Sequence, residues 1–424
     1  MTSYKDLLQA NTNFCYLWSS EITSMFGDWF NLIASASLIG ALTQSGTAVG
    51  GLFVVRMLAP FLVSPIAGVL ADRYNRKHIM ILTDLCRALV VLGFLLVGNT
   101  NHIWLFYILT AIQLGLSGFF VPARNAILPD LVSGNDLGVA NALSSATYAV
   151  MQALGTALGG VICGVWGMYP TFCIDALSFL ISALLCTQIN YQVTSIPTTT
   201  EAIITTPVKQ YLDGLSYLQE HIDILFTAMH KGVNALFITG GLQVLQVTLA
   251  KDYFSIGEGS GISIGLIFCA TGIGTAIGPI IARRFVNDED RLLRLGLVWC
   301  YVISSLGLII VACMGNFILV FLGILLRGIG GGIMWVFSTQ LLMKKVSNQM
   351  RGRVFSTEYA FRTLMSATGA TMVSILIDTP LGIFGVLWLT AGFSLIPAIL
   401  WISWLFTSNG IVAVVQEPDI AGNR

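Results

Sequence analysis

Charge is what this chain has least of. Only 10% of its 424 residues are Asp, Glu, Lys or Arg, and twenty-one bases balance twenty-one acids. The basic excess that nucleic-acid binding needs is missing, and so is an acidic tail. No HExxH, no GxSxG, no Walker A loop and no credible Ser/His/Asp set can be found. The four histidines, His78, His102, His221 and His230, fall near the ends of apolar runs or in loops. These absences argue against an enzyme and against direct drive by ATP. The eight cysteines (Cys15, Cys86, Cys163, Cys173, Cys186, Cys269, Cys300 and Cys313) stand singly in apolar surroundings. Without CxxC spacing or a neighbouring His cluster they read as small packing residues, not as metal ligands or a disulfide framework.

What the chain does have is hydrocarbon. Apolar residues make up 55% of it and the mean hydropathy is +0.81, values foreign to a water-soluble domain. About 20 apolar residues cross a bilayer. Runs of that kind lie near 15–41, 48–71, 79–98, 103–126, 139–163, 169–189, 222–248, 260–283, 293–314, 317–343, 354–377 and 382–406. Their length and continuity predict twelve helical spans and exclude barrel strands. The first run is far longer than a signal-peptide core and has no small-residue cleavage site behind it, so it is expected to remain as a span.

Basic residues fix the expected orientation. With the N-terminus inside, the inner segments hold Lys5, Arg73, Arg76, Lys77, Arg124, Lys209, Arg283, Arg284, Arg291, Arg294, Lys344, Lys345, Arg351, Arg353 and Arg424, and the outer loops hold only Lys251. Both termini are therefore expected in the cytoplasm, with a plasma membrane as the site. The longest polar interruption, 190–221, separates six spans (1–189) from six (222–424). Within it Thr206, Pro207 and the helically spaced Val208, Tyr211, Leu212, Leu215 and Leu218 predict a short amphipathic helix on the inner membrane face. The halves echo each other: GVLADRY from Gly68 ends the second span, and GPIIARRF from Gly278 ends the eighth.

Twelve spans in two halves, with GVLADRYNRK after the second and a decayed copy after the eighth, resemble the major facilitator superfamily. NFCYLWSSEITSMFGDW, PARNAILPDLVSGNDLGVANAL, IDALSF and RGRVFS are more narrowly similar to the branch of enterobactin exporters and macrolide-efflux proteins. The resemblance implies an all-α membrane protein of two pseudo-symmetric six-helix bundles. It also implies a secondary active exporter of a siderophore-, macrolide- or drug-like molecule, working by alternating access in a bacterial inner membrane as a monomer. The energy source would be the proton gradient, with no cofactor and no metal. Two departures bear on coupling: IQLGLSGFF in the fourth span has Gln113 and no arginine, and GTALGG in the fifth has Thr156 where proline is usual. A non-transporting sensor on the same scaffold and an importer of a small metabolite stand as alternatives.

The charged turn has one certain reading, as a topological signal. The resemblance adds a gate: Asp72, beside Gly68, Arg73, Arg76 and Lys77, would face the start of the eleventh span near Arg353. Asp84, Arg87, Asp130, Glu358 and Arg362 would complete that inner latch. Ionisable residues inside spans are functional candidates because each disfavours insertion by roughly 2.5–3.5 kcal/mol. Asp28, with Glu21 on the same helix face, is the candidate for proton coupling, and a structural pair with Arg56 is the competing reading. Glu358 and Arg362, four apart, are expected to pair. Lys231 is expected to snorkel to the inner surface and Asp175 to cap a helix at the interface, with Trp104, Trp166, Trp388 and Trp401 as interfacial anchors. Arg327 reads as an anion contact, a gate, or a partner for a neighbouring helix. By resemblance the first, fourth, seventh and tenth spans line a cavity, placing Trp29, Gln113, Asn234, Gln243, Arg327 and Trp335 around the substrate.

Overall fold

A computed structural model describes residues 4–43, 45–132, 136–191, 215–286, 289–346 and 350–406. The described residues form helices and connectors, and twelve of the helices are long and apolar enough to cross a membrane. They are numbered α1 (Thr12–Thr43), α2 (Gly46–Arg73), α3 (Arg76–Leu92), α4 (Ile103–Leu131), α5 (Leu137–Trp166) and α6 (Met168–Thr187) in the first half. The second half holds α7 (Ile222–Asp252), α8 (Gly261–Ala282), α9 (Asp290–Ala312), α10 (Phe317–Lys345), α11 (Arg351–Ile377) and α12 (Gly382–Phe406). A short helix, Tyr4–Ala10, precedes α1. The amphipathic helix expected from Thr206 lies outside the described residues, except that 215–220 are helical with Leu218 buried.

Each helix satisfies its own backbone, so side chains alone decide which face turns inward. In α3 the buried set is Met80, Thr83, Asp84, Arg87, Ala88 and Val91, one stripe at helical spacing. Its opposite face offers Leu82, Leu85, Leu89 and Leu92 to the surroundings. The polarity is inverted relative to a helix in water: ions inside, leucines outside. The connectors are short. Asn75 caps α3 by accepting from the Lys77 N–H at 3.0 Å, two residues after α2 ends. α5 and α6 are separated by Gly167 alone, at φ +93°, a conformation that only glycine adopts without strain.

Within the first half α1 packs on α5 and α6, α2 on α4, and α3 on α4 and α6; within the second, α8 and α9 pack on α10 and α7 packs on α11. Between the halves, α5 meets α8 and α2 meets α11. The end of the bundle bearing the α2–α3 turn is called the charged face below, and the end bearing the α1–α2 turn the far face. α5 and α8 approach so closely that a Cβ added at Gly160 would stand 2.6 Å from Gly265 Cα and 2.8 Å from the Gly261 carbonyl.

Candidate functional site

The charged turn is tied into the first lobe. Arg76 donates to the Ala71 carbonyl at 3.2 Å and the Ala126 carbonyl at 3.0 Å, and pairs with Asp130 at 2.6 Å, which joins α2 to α4. The Lys77 ammonium donates to the carbonyls of Thr187 and Ile189, both at 2.8 Å, and so closes the end of α6. In this conformation the partners of Arg76, Lys77 and Asp130 are therefore within one lobe, not across a latch. The side chains of Asp72 and Arg73, and Gly68, lie outside the described residues, as does the expected contact of Asp72 with Arg353. The repeat in the second half follows the same plan: Arg283 donates to Gln340 on α10 at 3.3 Å.

Deeper in the first lobe, Arg87 is the hub. Its guanidinium pairs with Asp28 on α1, with Asp84 at 3.2 Å and with Ser24 at 3.0 Å, and it lies 3.9 Å from the Phe179 ring centroid. Asp84 also accepts from Ser182 at 2.5 Å. The expected pair of Asp28 with Arg56 is replaced by Asp28 with Arg87, because α3 presents Arg87 to α1 on its buried stripe. The Arg56 Nη1 has no hydrogen-bond partner among the described residues. Glu21 is held separately by Arg124 at 2.5 Å and by Ser144 at 3.1 Å. Asp175 is no interfacial cap; it is fully buried and accepts from Asn31 at 2.9 Å. Gln113 is sealed inside the first lobe, so it does not line open space.

In the second lobe Lys231 does not snorkel. It is buried, pairs with Glu358 on α11 at 2.6 Å, and donates to Thr339 on α10 at 2.9 Å. Glu358 thus leaves the expected i,i+4 partner Arg362, whose guanidinium instead lies 5.4 Å from the Trp335 ring centroid and 5.2 Å from that of Tyr359. The Lys231 ammonium lies 4.6 Å from the same Trp335 ring. One π-helical turn, Ala235–Thr239, interrupts α7. It places Thr239 where Arg327 donates to it at 2.9 Å and Asn234 at 3.0 Å. Gln243, one turn further along α7, is half-buried. Trp401 is not an interfacial anchor; it is buried and donates to the Arg294 carbonyl at 3.2 Å.

The two lobes close on each other at the far face. Asp378, just after α11, accepts from Gly46 N–H at 2.8 Å, Thr47 N–H at 2.9 Å, Thr47 Oγ1 at 2.5 Å and Ser45 Oγ at 3.0 Å. It caps α2 from the other lobe. Burial pushes the Asp378 carboxyl up, but the hydrogen bonds from Thr47, Gly46 and Ser45 outweigh it and hold the group below the ordinary carboxylate value. A cavity of about 470 Å³ adjoins this contact, lined by residues that include Lys251, Asp252 and Tyr253. At mid-span Thr275 on α8 lies 3.3 Å from Gln152 on α5.

Beyond Gln152, toward the charged face, α5 changes character. Thr156, Gly160 and Cys163 on the far half are buried, whereas Asn141, Ser145 and Tyr148 on the charged half are exposed. Tyr148 lies within electrostatic range of Asp28 and Arg56 in one lobe and Arg362 and Tyr359 in the other. It is 51% exposed, and Trp335 is 49% exposed. Trp29 stands edge-on to Tyr148 at 6.0 Å. These groups line a polar cleft between the lobes that opens toward the charged face.

Sequence reasoning passed over Tyr148, Asp378, Asn31, Thr239 and Ser182. Tyr148 carried a detectable signal, since Asn141, Ser145, Tyr148 and Gln152 form a polar stripe at helical spacing within an apolar run. The others carried none, because a loop aspartate or a span serine looks ordinary until its partner's helix is placed.

Comparison with known proteins gives a consistent result. The sequence profile of a family described as transmembrane secretion effectors, of the major facilitator type, matches residues 7–410. The chain is 25% identical over 373 residues to the putative bacilysin exporter of Bacillus subtilis (strain 168), covering 87% of this chain and 89% of that protein. It is also 25% identical over 388 residues to the staphyloferrin A transporter of Staphylococcus aureus, covering 88% and 90%. Among solved structures, that of the nucleoside transporter NupG superposes with a TM-score of 0.70 at 12% identity, over 93% of this chain and 100% of the other.

Proposed function

The chain belongs to the transmembrane secretion effector family of major facilitator transporters, and from that premise we propose that it is a secondary active exporter of an amphipathic small molecule. The protein is a multi-pass bacterial membrane protein, and its charged face is assigned to the cytoplasm by the excess of Lys and Arg there. Export would proceed by alternating access, with loading from the cytoplasm through the cleft and release after the far face opens. The observation that supports this reading best is the change along one face of α5, buried at Thr156, Gly160 and Cys163 on the far half and exposed at Tyr148, Ser145 and Asn141 on the charged half.

Coupling is assigned to the Arg87 hub. One guanidinium serves two carboxylates, and of the two Asp28 is the wetter: its side chain is 29% exposed and that of Asp84 is 0%. A proton taken up by Asp28 would release Arg87 wholly to Asp84, in a setting that also contains Arg56, Asp175 and Tyr148. The change of partner loosens α1 from α3 inside the lobe, which is a means for a proton to bias the tilt of that lobe. Glu21 stays closed off by Arg124 and Ser144, and its part is structural. The test compares accumulation of siderophores, macrolides and dyes in cells with and without the protein, in the presence and absence of a protonophore. Lower accumulation that the protonophore abolishes is expected; unchanged accumulation of every compound would overturn the reading.

A further inference from the structure

Of the carboxylates around the cleft, four have a cation and Asp175 has only an amide, its Oδ1 being without a hydrogen-bond partner among the described residues. Asp28 and Asp84 share Arg87, Glu21 takes Arg124, Glu358 takes Lys231, and Asp175 takes Asn31. The cations are not matched in return. Among the described residues Arg56, Arg327 and Arg362 form no ion pair; Arg327 has only Thr239, and Arg362 only the faces of two aromatic rings. Among the described residues, Lys231, Arg327 and Arg362 of the second lobe thus have one carboxylate partner between them, Glu358.

A guanidinium in a membrane interior is costly to leave without an anion. Here Arg56 from one lobe and Arg362 from the other are both within electrostatic range of Tyr148. Trp335 and Tyr359, the rings beside Arg362, are both exposed. Open aromatic faces next to an unmatched guanidinium form a bipartite surface: the fork of the arginine receives a planar anion, and the rings receive the apolar body attached to it. Resting on the exporter reading, we propose that the cargo carries a carboxylate, which docks on Arg362 against Trp335 and Tyr359 while Arg56 closes on it from the other lobe. The anion then joins the two lobes at their centre, and its arrival and departure change the attraction between them.

The test uses the full protein in lipid nanodiscs with pyrenebutyrate as the probe and its methyl ester as the uncharged counterpart, binding being read by energy transfer from tryptophan and corrected with empty discs. The acid is expected to bind about tenfold tighter than the ester. Arg362→Gln and Arg56→Gln should each remove that preference, and the thermal unfolding midpoint of each variant reports that it is folded. Arg362→Lys should keep part of it. Equal affinity for acid and ester, binding of neither included, or a preference that survives in Arg362→Gln, would overturn the proposal. Failure here is separable from failure of the exporter reading. Protonophore-sensitive extrusion of neutral or cationic dyes without acid preference sinks only the carboxylate, whereas Arg362-dependent acid binding without extrusion of any compound sinks only the exporter.

Discussion

Lys231 and Glu358 meet at 2.6 Å with both side chains almost fully buried, so each offsets much of the other's desolvation. Removing one member of a buried pair costs about 3–5 kcal/mol, because the survivor keeps its desolvation and loses its attraction. Glu358→Leu is therefore expected to lower the thermal unfolding midpoint of the purified protein markedly, and the double variant Lys231→Met with Glu358→Leu to regain most of the loss. Asp28 behaves differently, since it shares its arginine and is partly wet. Asp28→Asn should leave the unfolding midpoint close to wild type and abolish proton-driven uptake into inverted vesicles. Uptake unchanged by that variant would remove coupling from this residue. Which residues are charged inside spans was readable from the sequence; which of them pair was not. Glu358 and Arg362 are neighbours on one helix, yet Glu358 turns to α7, because the choice depends on helix rotations that hydropathy leaves open. The same holds for Asp28, whose partner Arg87 is two spans away.

Among the helices, α5 and α8 form the part of the seam with least tolerance. Their backbones touch at Gly160 and Gly265, and Cys163 is packed beside Gly261, where an added Cβ would lie 3.0 Å from its sulfur. Gly160→Ala puts a methyl group where no room exists, so the far half of the seam must spread. Cys163 is a native reporter of that event, being fully buried in this conformation. It should resist a membrane-impermeant thiol reagent in the wild type and label several-fold faster in Gly160→Ala; equal labelling would mean that the seam is not held by this contact. The glycines of GTALGG stood out in the sequence, but they suggested a signature for coupling, whereas their observed place is the closest approach of two lobes. The π-helical turn of α7 had no sequence signal at all. Nothing in ALFIT distinguishes it from an α-helical stretch, and it exists because Thr239 finds Arg327 and Asn234 there.

At the scale of the whole molecule, Asp378 caps α2 from the opposite lobe and ties the two lobes together at the far face. A depressed folded-state value means that its contribution is fully present above the ordinary carboxylate range and is lost as pH falls through the depressed value. Closure of the far face should therefore be insensitive to pH between neutrality and about pH 4, the ordinary Asp value, and should weaken only in stronger acid. Asp378→Asn should shift spin-label distances between α2 and α11 toward longer values at neutral pH, and the difference from wild type should narrow in strong acid. If opening of this face is a step of the cycle, holding it shut must stop transport without stopping loading. A Cβ at Gly46 would stand 3.1 Å from the Ile377 Cβ, a few tenths of an ångström inside the range of about 3.5–4.5 Å found in disulfides, so a small outward shift allows the bridge. Gly46→Cys with Ile377→Cys, in a background stripped of the eight native thiols, should cross-link on oxidation. Three outcomes are expected together: extrusion falls to background, reductant restores it, and binding from the charged face persists in the oxidised form. A cross-linked protein that still transports would mean that the two lobes do not part at the far face, and alternation between two openings would have to be abandoned for this chain.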